Sequence, residues 1–313
     1  MDCNFAKATC RSDRLPADKL SVTDILLLAA ALLAGFVDAI AGGGGLILLP
    51  ALSLVIGAGP SAIGTNKPAA VAMAAIALVV YARRGHLNWR LSGMFALMVA
   101  IGALIGSRLA LWIPLAAFPW LLALSCPVLL WVVWKQALWL PREVAQSADV
   151  PRPFAPTVLL SGLACGIYDG AFGPGAGTFM FLCLLFFAHL PLLTSLAAAK
   201  LANTASGAVA LASYAESGHV HWRLGAIAAV GALVGGYFGA RQASVKAARI
   251  VRPMLVVVVV LLVLRIVTEQ ISVEGDSSNH FFRTARLVAA LLIATFIPFL
   301  IDRHARRSDR VGR

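Results

Sequence analysis

The chain alternates between long apolar stretches and short polar ones. Nothing longer than a loop is hydrophilic except the two tails, and many of the apolar stretches approach the ~20 residues that an α-helix needs to cross a bilayer. We therefore predict an all-α integral membrane protein, a polytopic helical bundle with about eight to ten crossings. The apolar stretches are 24–41, 44–58, 66–82, 91–112, 118–140, 157–172, 176–190, 194–214, 223–243, 253–268 and 285–301.

Composition supports lipid as the solvent for most of the chain. Of the 313 residues, 60% are apolar and 13% are charged, and the mean hydropathy is +0.86. A soluble domain has roughly half apolar and a quarter charged residues. The net charge of +12 comes from Arg and Lys in short stretches between apolar runs, where positive charge orients membrane helices. These positions argue against a nucleic-acid partner.

The five cysteines do not form a Cys-x-x-Cys pair, and three of them lie inside apolar stretches. The sequence therefore predicts neither a metal site nor a disulfide framework, and it indicates no cofactor. Serine, histidine and cysteine show no nucleophile–base grouping, so we predict no catalytic residues. The cysteines are Cys3, Cys10, Cys126, Cys165 and Cys183.

The chain contains an internal duplication. Residues 85–108 align without a gap to residues 218–241, an offset of 133, and nine of the 24 positions are identical. The same offset pairs Lys67 with Lys200, and an offset of 131 pairs Asp38 with Asp169. We predict a single membrane domain over 1–313, divided into repeat one (24–140), a linker (141–156), repeat two (157–268), an extra C-terminal segment (285–301) and a basic tail (302–313).

The distribution of charged loops predicts that the two repeats are inverted. The 83–90 loop is strongly basic in repeat one, whereas the corresponding basic loop in repeat two is one connection later, at 246–252. Because basic loops stay cytoplasmic, the halves should lie in opposite orientations. This topology places the linker and the basic tail in the cytoplasm and the N-terminus outside.

Two glycine clusters predict broken helices near the midplane of the membrane. The segment from Gly42 to Gly45 and its counterpart from Gly173 to Gly177, which includes Pro174, cannot continue a helix. Broken backbone at membrane depth is tolerated where protein or a wet cavity receives it. Helices that restart there present free N–H groups and positive dipole ends, which favour an anion.

The charged residues in apolar stretches are default functional candidates because burying them is costly. Several other roles stay open from sequence alone. The glycines could serve only helix packing, the aspartates could cap the half-helices or pair with lysines, and the lysines could extend to lipid headgroups. Arg108 and Arg241 fit end anchors, and the turns around His86 and His219 fit interfacial anchors or, alternatively, proton relays.

Several motifs resemble the TauE/SafE sulfite exporter family. The resemblance covers about residues 24–268, and the 285–301 segment departs from it. It implies a bacterial or organellar membrane transporter for sulfite, sulfonates or related organosulfur anions, here in the bacterial inner membrane. The motifs are Gly35-x-x-Asp38, Gly42 to Gly45, Gly64-Thr65-Asn66-Lys67, Gly85 to Arg90, and Tyr168-Asp169-Gly170 followed by Gly173-Pro174-Gly175.

We therefore predict a secondary transporter of small anions that works by alternating access. Asp38 and Asp169 would position the lysines or take up a coupling proton, because a carboxylate beside an anion must be paired or protonated. A passive anion channel is the main alternative, and a membrane-embedded enzyme is a weaker one. The predicted substrate-binding residues are Gly43, Gly44, Gly45, Thr65, Asn66, Lys67, Gly175, Gly177, Thr178, Lys200 and Asn203.

Overall fold

The computed structural model describes residues 21–57, 59–112 and 156–245, and this part of the chain is helical without strands. Four of its helices are long and apolar enough to cross a membrane: Val22–Ala41, Pro60–Arg83, Ser92–Ala110 and Trp222–Val245. The predicted stretches at 118–140, 253–268 and 285–301, the linker up to 155 and the basic tail lie outside the described residues. The helices are α1 (Val22–Ala41), α2 (Gly45–Ile56), α3 (Pro60–Arg83), α4 (Trp89–Ala110), α5 (Pro156–Ala171), α6 (Ala176–Phe186), α7 (Leu192–Glu216) and α8 (Trp222–Val245).

Local signals account for the starts of two helices. Ser21 and Asp24 form a reciprocal capping box at the beginning of α1. Helix α3 begins at Pro60, where proline is favoured because its missing N–H has no intrahelical partner in any case. The predicted start at 66 was wrong: the polar segment before Lys67 is helical and buried, and the hydroxyl of Thr65 has a partner in the turn before the last described helix.

Helices α1 and α2 form a hairpin, as do α5 and α6. Gly42 ends α1 in the left-handed conformation, with φ of +84°, and Gly44 then lies against the carbonyl oxygen of Ala34. In the second hairpin the Sγ atoms of Cys165 and Cys183 are 3.7 Å apart. In both hairpins the chain turns at the glycine cluster and runs back along the helix it has just left.

The fourth helix of each repeat packs against the other repeat. Helix α4 contacts α5 and α7 most extensively, while glycines of α8 lie against α1 and α3. Small residues allow this close approach, as is common between membrane helices. Gly102 and Gly106 of α4 allow such packing against α5. The glycine and carbonyl pairs are Gly102 with Leu163, Gly106 with Ile167, Gly235 with Leu32, and Gly239 with Phe36.

Equivalent helices of the two repeats run antiparallel where they meet. Gly207 of α7 lies against Val71 of α3, whereas Tyr214, further along α7, lies against Gly64, earlier in α3. Residues 64–71 and 197–204 are equivalent at the offset of 133, so this is the contact pattern expected of inverted copies. The orientation of each copy in the bilayer stays a prediction.

The most deeply buried large side chains include Tyr81 and Lys67 of α3 and Lys200 and Tyr214 of α7.

Candidate functional site

The two helix breaks lie directly against each other. A methyl group added at Gly42 would lie 2.4 Å from the carbonyl carbon of Gly177, and one at Gly45 would lie 3.3 Å from Cα of Pro174. The hydroxyl of Thr178 donates a 2.6 Å hydrogen bond to the carbonyl oxygen of Ala41. This bond satisfies a carbonyl at the end of α1 that has no partner within its own helix.

Two short helices begin at these breaks. Helix α2 follows Gly44 and helix α6 follows Gly175, which has φ of +77°. The predicted restarts within the two glycine clusters are therefore confirmed. In the first turns the N–H of Leu46 donates to the Gly43 carbonyl and that of Ala176 to the Gly173 carbonyl, whereas the N–H groups of Gly45 and Gly177 have no hydrogen bond to the described residues. The helix dipole places partial positive charge at each start. The junction of the breaks thus carries the positive ends of two helices.

Two ion pairs connect the repeats crosswise beside the breaks. The Nζ of Lys67 in repeat one is 3.2 Å from Oδ1 of Asp169 in repeat two. The Nζ of Lys200 in repeat two is 2.6 Å from Oδ2 of Asp38 in repeat one. Each ammonium group also donates to the main-chain carbonyl oxygen of its aspartate. Both lysine side chains are about 1–2% exposed, so they do not extend to lipid headgroups.

The two aspartates have different additional partners. Oδ1 of Asp38 accepts a hydrogen bond from the N–H of Gly44, 3.3 Å away, so Asp38 also caps α2. Oδ2 of Asp169 accepts one from the hydroxyl of Ser206, 2.5 Å away. Sequence reasoning missed Ser206. Its spacing from Lys200 and Asn203 along α7 places the three residues on neighbouring positions of one helix face.

Two buried tyrosines, also missed from sequence, stabilise the ends of the broken helices. The hydroxyl of Tyr81 donates to the carbonyl oxygen of Ala39 at 2.8 Å. The hydroxyl of Tyr214 donates to that of Gly170 at 3.0 Å. The tyrosines are equivalent at the offset of 133 and their acceptors at 131. The internal repeat could have revealed the tyrosine pair, because a retained tyrosine in a buried helix needs a partner for its hydroxyl.

A comparison with known protein families identifies the family to which this chain belongs. The family model described as "Sulfite exporter TauE/SafE" matches residues 27–266. The chain belongs to the TauE/SafE family. The chain is therefore a multi-pass membrane transporter rather than an enzyme, in agreement with the helices that are long enough to cross a bilayer.

Curated relatives in this family carry the same general description. The chain is 37% identical to "Probable membrane transporter protein ORF9" of Sinorhizobium sp over 248 residues, which cover 78% of this chain and 92% of the relative. It is 32% identical to a "Probable membrane transporter protein" of Haemophilus influenzae, with 78% and 94% covered. It is also 32% identical to "Probable membrane transporter protein YfcA" of Escherichia coli K12, with 74% and 85% covered. No solved structure matches the chain.

Within this TauE/SafE chain, two asparagines lie beside the breaks. A methyl group at Gly45 would lie 3.8 Å from Nδ2 of Asn66, and one at Gly177 would lie 3.2 Å from Nδ2 of Asn203. Asn66 is 4% exposed, and its Oδ1 is buried without a hydrogen-bond partner. Buried polar groups are nearly always paired, so an unpaired amide oxygen at this place calls for an explanation.

The structure does not bring every predicted residue to the junction. The hydroxyl of Thr65 accepts a hydrogen bond from the N–H of His221, 3.0 Å away, so it connects α3 to the turn before α8. Gly43 is buried within the first break, where its carbonyl oxygen accepts from the N–H of Leu46. Arg108 and Arg241 are exposed near helix ends, as expected for anchors.

Proposed function

We propose that this chain is a secondary transporter of a small anion, such as sulfite, a sulfonate or a related organosulfur anion, and that it works by alternating access. The junction of the two breaks carries the proposal. It brings together two helix N-termini and two buried, crosswise ion pairs between the repeats. The description of the matching family model, a sulfite exporter, supports the choice of substrate class.

The anion would bind to neutral donors first. The N–H groups of Gly45 and Gly177, at the starts of α2 and α6, would face it, and the amides of Asn66 and Asn203 beside them would add donors. Nδ2 of Asn66 already lies on the side of Gly45, so the amide would donate to an anion at the junction without a flip.

The lysines would bind the anion only after their carboxylates are neutralised. Each ammonium group is paired with an aspartate, and a carboxylate next to an anion is strongly unfavourable. Protonation of an aspartate would release the positive charge of its lysine toward the anion. This step would couple anion movement to a proton while keeping the buried charge balanced.

Alternating access would arise from movement of one hairpin and its neighbours relative to the other. Inverted repeats commonly move in this way around a fixed site at the midplane. The contact between Gly42 and Gly177 would then belong to a state in which the junction is closed. A passive channel would need the junction to open toward both sides at once.

Transport in proteoliposomes would test the proposal. The purified full chain would be reconstituted and offered sulfite, sulfate, thiosulfate, taurine and acetate, with and without an imposed pH gradient. We expect saturable uptake of a sulfur oxyanion or sulfonate, and accumulation above the external concentration when the pH gradient is imposed. Uptake that only equilibrates the two sides would identify a channel instead.

Substitution of the lysines would test the site itself. Lys67→Ala and Lys200→Ala should each lose most uptake, whereas Arg108→Ala, which removes an exposed charge near a helix end, should retain it. Wild-type rates in both lysine variants would contradict the proposed site. Loss of uptake in Arg108→Ala as well would show that the assay responds to charge in general.

A further inference from the structure

The two crosswise ion pairs are related by the internal repeat, but their surroundings are not. At the offset of 133, Ser206 in repeat two corresponds to Met73 in repeat one. Ser206 donates to Asp169, whereas the thioether of Met73 lies close to Gly44 at the other break. Asp169 thus has the hydroxyl of Ser206 as a partner, whereas the equivalent position in repeat one carries the thioether of Met73.

The two groups that contact the Asp38 carboxylate among the described residues can only donate hydrogen bonds. The ammonium group of Lys200 contacts Oδ2, and the N–H of Gly44 contacts Oδ1. An ammonium group and a backbone N–H carry no lone pair that could accept a bond. A proton added to Asp38 would therefore face donors on both oxygens, and the half-helix α2 would lose its negatively charged cap.

The Asp169 carboxylate has a partner that can reverse its role. A serine hydroxyl donates one hydrogen bond and can also accept. The hydroxyl of Ser206 is 2.5 Å from Oδ2 of Asp169 and 3.2 Å from the carbonyl oxygen of Asn203. Its single hydrogen can turn to the Asn203 carbonyl, and its lone pair can then accept from a protonated Asp169.

We propose that Asp169, rather than Asp38, takes up the coupling proton, and that Ser206 is the positioning residue that satisfies Asp169 in both protonation states. The inference rests on the proposed function and deepens it. Among the described residues, Lys67 of α3 and Ser206 of α7 contact the carboxylate. Tyr214 of α7 bonds to the neighbouring carbonyl of Gly170.

The step balances in charge and atoms. A proton from the aqueous phase binds Oδ2 of Asp169 and forms the O–H bond of a neutral carboxylic acid. The hydroxyl hydrogen of Ser206 then turns to the Asn203 carbonyl. Lys67 then lacks a counter-ion, and one singly charged anion replaces the lost carboxylate charge. Departure of the anion and the proton on the other side restores the ion pair, so one proton and one anion move together.

Proteoliposome assays with sulfite as the probe separate coupling from binding. Asp169→Asn should lose accumulation driven by a pH gradient but keep measurable exchange of labelled sulfite at equal concentrations. Asp38→Asn should lose both, because it removes the negative charge that faces both Lys200 and the start of α2. Exchange without coupling in Asp38→Asn, or pH-driven accumulation in Asp169→Asn, would overturn the assignment.

Ser206→Ala provides a second test that does not remove a charge. It should slow proton-driven uptake about tenfold, the size expected for loss of one charge-assisted hydrogen bond, with much less effect on exchange. Ser213→Ala is the matched control, because Ser213 lies on the same helix and donates only to the Val209 carbonyl. Equal effects of the two substitutions on coupling would overturn the role of Ser206.

An infrared measurement without any transported anion distinguishes this inference from the proposed function. Difference spectra between two pH values should contain a carboxylic acid band that disappears in Asp169→Asn, remains in Asp38→Asn and shifts in Ser206→Ala. A band that follows Asp38, or no band in the wild type, would overturn the inference. A wild type with the Asp169 band that moves none of the tested anions would refute the proposed function and leave the proton site standing.

Discussion

Replacement of Gly42 by alanine probes the contact between the two helix breaks. Gly42 has φ of +84°, and a methyl group there would lie 2.4 Å from both the carbonyl carbon of Gly177 and the nitrogen of Thr178. Gly85 offers a matched control, because its φ is +75° in the left-handed turn that ends α3 and a methyl group there would have no atom within 4 Å. Both substitutions place alanine in a left-handed conformation, and they differ in what the methyl group meets.

The structure sets the expected difference in unfolding free energy between these variants. A left-handed conformation costs a non-glycine residue about 1–2 kcal/mol, and both variants incur it. Carbon atoms in ordinary contact are about 3.5–4.0 Å apart, so the hairpins at Gly42→Ala would have to separate by about 1 Å. Overpacking of this kind costs about 1–3 kcal/mol. We therefore expect Gly42→Ala to lose about 1–3 kcal/mol more than Gly85→Ala.

Two measurements would check this expectation. Reversible unfolding in mixed detergent micelles would give the free energies, and sulfite uptake in proteoliposomes would report on transport. Gly42→Ala should lose stability and most uptake, whereas Gly85→Ala should lose only the smaller stability increment and retain uptake. If the two variants were equally stable and equally active, the breaks would not meet in the way described, and the site between them would have no basis.

Three further predictions follow from other contacts. Asn66→Ala should raise the KM for the anion in uptake assays without lowering unfolding stability, because the buried Oδ1 has no partner to lose; a clear loss of stability would show that the amide is structural. Lys200→Met should cost about 3–5 kcal/mol of unfolding free energy by leaving Asp38 unpaired, and adding Asp38→Asn should restore part of it. Additive losses in the double mutant would contradict a direct pair. Gly235→Ala should weaken the fold by about 1–3 kcal/mol through overpacking, whereas Gly93→Ala, with open space at its Cβ position, should not. Equal effects of the two substitutions on stability would mean that α8 does not pack closely on α1.

The broken helices were predictable because helix breaking is a local property. Four consecutive glycines from Gly42 to Gly45, and Pro174 between Gly173 and Gly175, interrupt a helix whatever surrounds them. The starts of α2 and α6 therefore follow from the sequence. The internal repeat added the inference that the buried aspartates and lysines occur as equivalent pairs.

The start of α3 shows where local reasoning fails. The polar residues before Lys67 ended the predicted apolar stretch, yet they are helical and buried. The hydroxyl of Thr65 is satisfied from elsewhere in the fold, because it accepts from the N–H of His221. Propensity and hydropathy do not include such contacts, and tertiary packing overrides them. The same contact removes Thr65 from the junction, although it is adjacent to Asn66 in sequence.

The sequence by itself determined a membrane-embedded helical protein, its duplication, the two interruptions and the charged residues in apolar surroundings. These follow from composition, periodicity and backbone chemistry, which act over a few residues. Only the tertiary structure decided that Lys67 pairs with Asp169 and Lys200 with Asp38, and that Ser206 serves one carboxylate alone. The two ion pairs join residues 102 and 162 positions apart, which only the packing of one repeat against the other brings into contact. In a low-dielectric interior each buried charge is stable only beside the partner that this packing supplies.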